Sequence, residues 1–387
     1  MNNTIRSAVA LLGGLCASTA MAQSNVTMYG IIDSGLVYTT NANALGDAIT
    51  KMPSLSSSFP SRIGFKGIED LGGGLQAVFV LENGFGVDTG ATGQGGRLFG
   101  RQANVGLKGS LGSITVGRQH NMSYLATRKA DVLGPNLFAI GSIDPYLPNA
   151  RSDNALGYLG VFSGVSVGAT YSFGRDGSAA GGPAATACAG EVPGNAKACR
   201  QVTAMLAYDS KGFGVSASYD VMHGNVGAAG GMSSSDNTDK RSTLNAYVMV
   251  GPTKIGAGIV ERKLRASTGA LDSDLYYLGF NYRFDAFVLD AQVAHRDTKA
   301  SASDVTMLAA RLTYNLSKRT AVYAAVGQMK NKGTSAVALD AGGTVGAGKT
   351  QNGMMAACVI RSKRGWRFKE GALVAPPILA SWRHQFC

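Results

Sequence analysis

Few residues in this 387-residue chain are of the types that do acid–base or covalent chemistry, and those few are scattered. His120, His223 and His295, with His384 in an unusual C-terminal stretch, belong to no H-E-x-x-H pair and no G-x-S-x-G nucleophile motif. A hydrolase built from them would need His120 or His223 to meet loop acids in space. The glycine-rich stretch 71–74 is not followed by Gly-Lys-Ser/Thr, so it reads as a turn and not a phosphate-binding loop. No residues have metal-ligand spacing, and neither a metal nor a cofactor is expected. What the chain has in excess is positive charge: 36 Lys and Arg against 24 Asp and Glu, a net +12. Such a balance suits nucleic acid, anionic lipid or anionic solutes.

The N-terminus bears on that choice. Arg6 gives a positive start, Ala8 to Leu15 is apolar, and Ala20-Met21-Ala22 is an A-x-A cleavage site. Residues 1–22 therefore read as a secretory signal, with the mature chain starting at Gln23; the alternative is an ordinary buried helix. Cys16 follows Leu15, where a lipid-attachment site wants a small residue, so it is expected to leave with the signal. Loss of Arg6 leaves 35 basic residues against 24 acidic ones, a net +11. Export argues against nucleic acid. It also exposes Cys188 and Cys199, which share one Gly- and Pro-containing stretch, to an oxidising compartment. A loop disulfide is the expectation and two unpaired thiols the alternative.

The elements that carry these charges are strands. Mean hydropathy is only +0.05, and no mature segment offers the roughly 18 consecutive apolar residues of a spanning helix. Instead, Val165, Val167, Ala169, Tyr171 and Phe173 alternate with Ser166, Gly168, Thr170 and Ser172. Phe213 to Asp220, Tyr276 to Phe284 and Phe287 to Ala294 repeat the period of two. The polar face is Gly, Ser, Thr, Asn, Asp and Arg, and the apolar face often ends in Tyr or Phe. That is the pattern of a barrel with lipid outside and water inside, in which charges turn inward; a soluble all-β fold is the alternative. In lipid, strands must satisfy their own hydrogen bonds by closing. Tight connections such as Ser163-Gly164, Lys211-Gly212, Gly251-Pro252 and Asp285-Ala286 alternate with long ones such as 39–60, 119–150, 174–200 and 330–350. About 16 strands follow, among them 61–69, 74–83, 97–109, 112–118 and 151–162. The expected fold is an all-β, 16-stranded antiparallel transmembrane β-barrel over 23–360, with an atypical tail over 361–387.

Specific blocks go further. Val26-Thr27-Met28-Tyr29-Gly30-Ile31-Ile32-Asp33, the run Ser61-Arg62-Ile63-Gly64-Phe65-Lys66-Gly67-Ile68-Glu69-Asp70-Leu71-Gly72-Gly73-Gly74-Leu75, Phe79-Val80-Leu81-Glu82-Asn83-Gly84-Phe85, Arg101-Gln102-Ala103-Asn104-Val105-Gly106-Leu107, Arg151-Ser152-Asp153-Asn154-Ala155 and Tyr314-Asn315-Leu316-Ser317-Lys318-Arg319-Thr320 make the mature chain resemble the Gram-negative porins of the neisserial and beta-proteobacterial type. The resemblance implies 16 strands, a homotrimer and a third outer loop folded inward as a constriction, for which 119–150 is the candidate. It also implies a cluster of arginines there, matched by Arg62, Arg101 and Arg151, facing acids. Alternation agrees for Arg62, which shares a face with Gly64 and Lys66, and for Arg151. It disagrees for Arg101, which shares parity with Ala103, Val105 and Leu107; a bulge or an inverted strand end would reconcile it. Glu82 falls on the lumen face, and Asp33 does so if Met28, Gly30 and Ile32 face lipid. Asp144 is the loop acid expected to help Glu82 hold the arginines apart.

The function so implied is an outer-membrane channel for passive diffusion of small hydrophilic solutes, preferring anions, since arginine stays charged and contacts carboxylate or phosphate in bidentate fashion. Expected partners are small anionic solutes, outer-membrane lipid and lipopolysaccharide, and the barrel-assembly machinery. The alternatives are a weakly selective pore and a surface-binding barrel, receptor or adhesin, without open-pore activity. The C-terminus departs from the pattern: such porins end soon after Gln351-Asn352-Gly353-Met354-Met355 on a Phe, whereas this chain runs on to Cys387 through both tryptophans, Trp366 and Trp382. That puts closure of the barrel in question.

Overall fold

Alternating β-branched and aromatic residues can only become a membrane wall if every strand finds two neighbours. A computed structural model, which describes residues 25–366 except 135, 179–185 and 341, shows that they do. Sixteen antiparallel strands form the wall: β1 Asn25–Thr39, β2 Arg62–Gly72, β3 Leu75–Gly84, β4 Gln102–Gly109, β5 Gly112–His120, β6 Ala155–Phe162, β7 Val165–Ser172, β8 Gln201–Asp209, β9 Phe213–His223, β10 Thr238–Val250, β11 Thr253–Ala266, β12 Gly269–Phe284, β13 Phe287–Thr298, β14 Val305–Asn315, β15 Thr320–Asn331 and β16 Thr350–Trp366. Two short stretches, Ile49–Lys51 and Arg151–Ser152, add to the ladders of β1 and β5 at the loop end. The barrel closes where β16 pairs with β1, from Val26 opposite Trp366 to Thr39 opposite Gly353. The signal expected over 1–22 and the tail beyond 366 lie outside the described residues.

Three strand limits differ from the sequence expectation. The fourth strand begins at Gln102 and not at 97, because the chain bends at Arg101. The strand expected over 151–162 is interrupted at Asn154, whose φ of 47° breaks the extended run. The last strand runs to Trp366, past the boundary drawn at 360, because β1 offers it partners that far.

Leu206, Leu244, Leu278, Leu308 and Val326 stand exposed on the outer face, the side on which a charge would cost a few kcal/mol in lipid. Rings cluster at the tight-turn edge of this face: Phe287 packs on Phe284 and on Tyr314 at centroid distances of 5.4 and 4.8 Å. The inner face of β11–β16 is partly apolar, with Val260, Leu275, Met307, Met329, Met355 and Val359 all buried. Residues 121–150, joining β5 to β6, pack against those side chains through Ala130, Leu133, Leu137, Phe138, Ile140 and Ile143.

Phe138 shows how the wall accommodates this segment. Gly327 and Gly353 are register partners on β15 and β16. A Cβ on Gly327 would lie 2.7 Å from the Phe138 ring, and one on Gly353 2.9 Å from it. The paired glycines leave a gap, and the ring occupies it. Phe138 itself has φ 57°, unusual for a bulky residue, so burial of the ring holds a strained backbone. Phe138→Ala is expected to weaken the seating of this segment by about 3 kcal/mol. Faster amide exchange over 136–143, with the strands unchanged, is the result to look for.

Candidate functional site

Glu82 organises the inner face between β1 and β4. Tyr29 on β1 pairs with Gly64 on β2, and Gly64 pairs with Glu82 on β3. Glycine is needed in the middle, since a Cβ there would lie 2.6 Å from the Tyr29 ring. The ring crosses β2 and its hydroxyl donates to Glu82 Oε2 at 2.8 Å. Arg101, in the bend before β4, donates from Nε to Glu82 Oε1 at 2.6 Å. Arg62 Nε lies 3.5 Å from Oε2. The structure thus brings Arg62, Arg101 and Glu82 together. The parity conflict at Arg101 needs neither a bulge nor an inversion: Val105 and Leu107 face out from a strand that Arg101 precedes.

A cleft of about 370 Å³ opens beside this cluster, lined among others by Arg62, Glu82, Arg101, His120, Tyr124 and Arg128. Tyr124 and Arg128 come from a short helix, α1 (Met122–Thr127), and its C-cap. Asn121 caps α1, its side chain accepting from the backbone N–H of Ser123 and Tyr124. Arg128 is exposed and makes no ion pair among the described residues. Leu125 and Leu159 give the cleft an apolar side.

The other expected residues are placed differently. Arg151 is 1% exposed, with Nη1 donating to Asn149 Oδ1 at 3.3 Å; it adds to the positive field but does not line the cleft. Lys66 shares the face of Arg62 but reaches only toward the Tyr29 ring, 6.0 Å away. Asp33 does face inward, with Ile32 exposed on the other side, but serves as a brace: it accepts from Phe59 N–H at 3.1 Å and Tyr323 Oη at 2.8 Å. Asp144 faces none of the three expected arginines. It pairs with Arg241 on β10 at 3.2 Å, and Arg241 lies 4.1 Å over the Tyr146 ring and 2.9 Å from Asp239. Cys188 and Cys199 are joined as a disulfide, Cα atoms 5.2 Å apart.

Sequence reasoning missed Arg128, Arg241 and Asp220. Asp220, buried on β9, accepts from Ser123 Oγ at 3.0 Å, Asn121 Nδ2 at 3.3 Å, Gln201 Nε2 at 2.8 Å and the Tyr146 hydroxyl. It fastens both ends of the 121–150 segment to the wall. Its place on the polar face of an alternating strand was the only signal. No hydrolytic arrangement forms among the described residues: the His120 ring stacks on Tyr124 at 3.9 Å, and His223 Nδ1 bonds to the Ser235 carbonyl. No group of three metal-ligating side chains occurs among the described residues.

Residues 7–334 match the family model of the Gram-negative porins. The chain belongs to that family. This porin is similar to outer membrane porin protein 32 of Delftia acidovorans, 30% identical over 372 residues that cover 90% of the chain and 97% of the relative. It is 39% identical to an outer membrane porin protein of Bordetella pertussis over 181 residues, 43% of the chain and 47% of that protein. Neisseria gonorrhoeae major outer membrane protein P.IB is 40% identical over 105 residues, 27% of the chain and 29% of that protein. Among solved structures, the anion-selective porin from Comamonas acidovorans superposes with a TM-score of 0.74 at 26% identity, covering 88% of the chain and all of that structure. The porin is therefore an outer-membrane channel.

The segment that joins β5 to β6 also carries a buried carboxylate. Asp131 is buried and accepts from Gln292 Nε2 at 2.8 Å. Burial pushes its carboxyl from the ordinary 3.8 up to about 6, against the opposing pull of Gln292 and Arg311. A raised carboxyl favours the seated loop when protonated, so its contribution is full below 3.8 and is lost as pH rises through about 6. Amide exchange over 129–134, corrected for intrinsic rate, should be slower at pH 5 than at pH 7.5. Asp131→Asn should remove that difference.

Proposed function

We propose that this channel passes small anions in preference to cations. The observation that carries the reading is the balance of the cleft: Arg62, Arg101 and Arg128 against the single carboxylate of Glu82. In a narrow, partly dry passage, an uncompensated positive wall concentrates anions and repels cations. Similarity to a porin described as anion-selective supports the same reading. The third outer loop narrows the lumen from within, supported by its packing on the inner side chains of β11–β16. The working unit is a homotrimer, as the family resemblance implies. It is exported with residues 1–22 as a cleaved signal, inserted by the barrel-assembly machinery and surrounded by lipid and lipopolysaccharide. The test is the reversal potential of the refolded full-length protein in a planar bilayer under a potassium chloride gradient. A potential of the chloride sign supports the proposal. One near zero means a weakly selective pore, and one of the potassium sign overturns it.

A further inference from the structure

Both arms of the Cys188–Cys199 disulfide, in the loop between β7 and β8, bind one dipeptide of the same loop. Cys188 N–H donates to the Asp176 carbonyl at 2.7 Å, and Asp176 N–H donates to the Cys188 carbonyl at 3.1 Å. The Cys199 carbonyl accepts from Arg175 N–H at 3.0 Å. Both cysteines and Asp176 are buried. The crosslink closes a ring between residues 11 apart and so restricts where its two arms can carry these contacts. Arg175-Asp176 stands where the disulfide puts it.

The Asp176 carboxylate reaches the chain that leads into β4. Its Oδ1 lies 2.7 Å from Arg97 Nη2, and its Oδ2 lies 3.4 Å from Nη1 of Arg118, near the end of β5. Arg118 in turn donates from Nε to the Gly100 carbonyl at 2.6 Å. Asp153 shares both arginines and is tied to the same strip of the loop: its N–H donates to the Arg175 carbonyl at 2.9 Å, and its Oδ2 accepts from Gly177 N–H at 3.3 Å. After Gly100 comes Arg101, whose N–H donates to the Glu82 carbonyl at 3.1 Å and whose Nε holds the Glu82 carboxylate. The bend over 97–101 is thus gripped at one end by Asp176, directly and through Arg118, and at the other by Glu82. Between them Asn83 donates to the Leu98 carbonyl. Arg118 and Asp176 are buried, so loss of one partner leaves the other without water to replace it.

We propose that Asp176 is a positioning residue for Arg101, and that the Cys188–Cys199 disulfide acts on the Glu82 cleft through it. With the disulfide intact, Asp176 fixes Arg97 and Arg118, and Arg118 fixes the peptide that precedes Arg101. When a small dithiol reduces the bond, two electrons and two protons pass to the sulfurs, leaving two thiols, while the reagent closes to a cyclic disulfide. Arg175-Asp176 then loses its rigid support, the grip on the bend loosens, and Arg101 moves against Glu82. The oxidation state of one loop is felt at the cleft without any change in the strands of the wall. This coupling does not depend on which ion the pore prefers.

The test compares the oxidised wild type, the wild type treated with dithiothreitol, Cys188→Ser/Cys199→Ser and Asp176→Asn, each as the full-length folded protein. Folding is checked by heat-modifiable electrophoretic mobility. Amides over 98–101 should exchange about fivefold faster in the reduced protein and in both variants, while those of β5 stay slow. Open-channel current in a planar bilayer should become noisier in the same three samples, and reoxidation should quiet the reduced wild type. A loop that merely loosens would add its own noise whatever residue stands at 176. Here, reducing Asp176→Asn should speed exchange over 188–199 yet leave 98–101 and the current as they were. If thiol titration shows that dithiothreitol does not reach the buried bond, the two serine substitutions stand for the reduced state in either background. If Asp176→Asn does not fold, Arg118→Lys, which keeps the charge and loses the fork, takes its place. Unchanged exchange over 98–101 in the folded serine variant overturns the proposal. So does a further increase there when Asp176→Asn is reduced.

Discussion

Replacing Arg62 and Arg128 together with glutamine should lower the ratio of chloride to potassium permeability by about tenfold. The two arginines reach the Glu82 cleft from different elements, Arg62 from the start of β2 and Arg128 from the C-cap of α1. With both gone, Arg101 and Glu82 remain as a neutral pair at 2.6 Å, and the wall loses its excess charge. Glutamine is shorter than arginine, so the pore does not narrow and a lowered ratio does not arise from steric exclusion of chloride. Glu82→Gln should move the ratio the other way. Reversal potentials of the three proteins in one salt gradient decide the matter: an unchanged ratio in the double variant would show that selectivity arises elsewhere in the lumen.

Asp220→Ala should have the second large effect. The carboxylate is 2% exposed and gathers donors from Asn121, Ser123, Tyr146 and Gln201. Alanine strands those donors away from water, at a cost of about 3 kcal/mol, most of it borne by the segment they anchor. Single-channel records should break from one steady level into fluctuating substates, and trypsin should cut at Arg128 and Lys129. Asp220→Asn, which keeps the shape and two lone pairs, should fall between. A quiet trace with an uncut loop in Asp220→Ala would mean that the apolar packing of Phe138 and its neighbours suffices alone.

How much of this was legible in the sequence depended on whether periodicity governed the residue. Strand faces and tight turns could be read because a period of two leaves each wall residue only two directions. Glu82 and Arg62 lie on the face that this alternation assigns them, 3.5 Å apart. Arg101 conflicted with the same rule because it stands one residue before its strand, where the rule does not apply. Arg128, Asp131 and Asp144 lie in a segment with no repeat, and their directions follow from contacts across the barrel. Asp144 was accordingly given the wrong partners: nothing in the spacing singles out Arg241, 97 residues away. Arg151 still pairs with His120 on the ladder of β5, but the break at Asn154 separates it from β6, and its side chain is buried.

The gap filled by Phe138 also orders events in time. Its two sides belong to β15 and β16, the two most C-terminal of the described strands, and the neighbouring bond from Ser142 Oγ to the Leu339 carbonyl spans 197 residues. Contacts so distant along the chain form late, because the intervening loops must close first. The 121–150 segment therefore has no berth on this side until β15 and β16 are in register. A nascent barrel still open at that seam is one in which the loop swings free. Its arrest marks the moment when a hairpin array becomes a finished vessel.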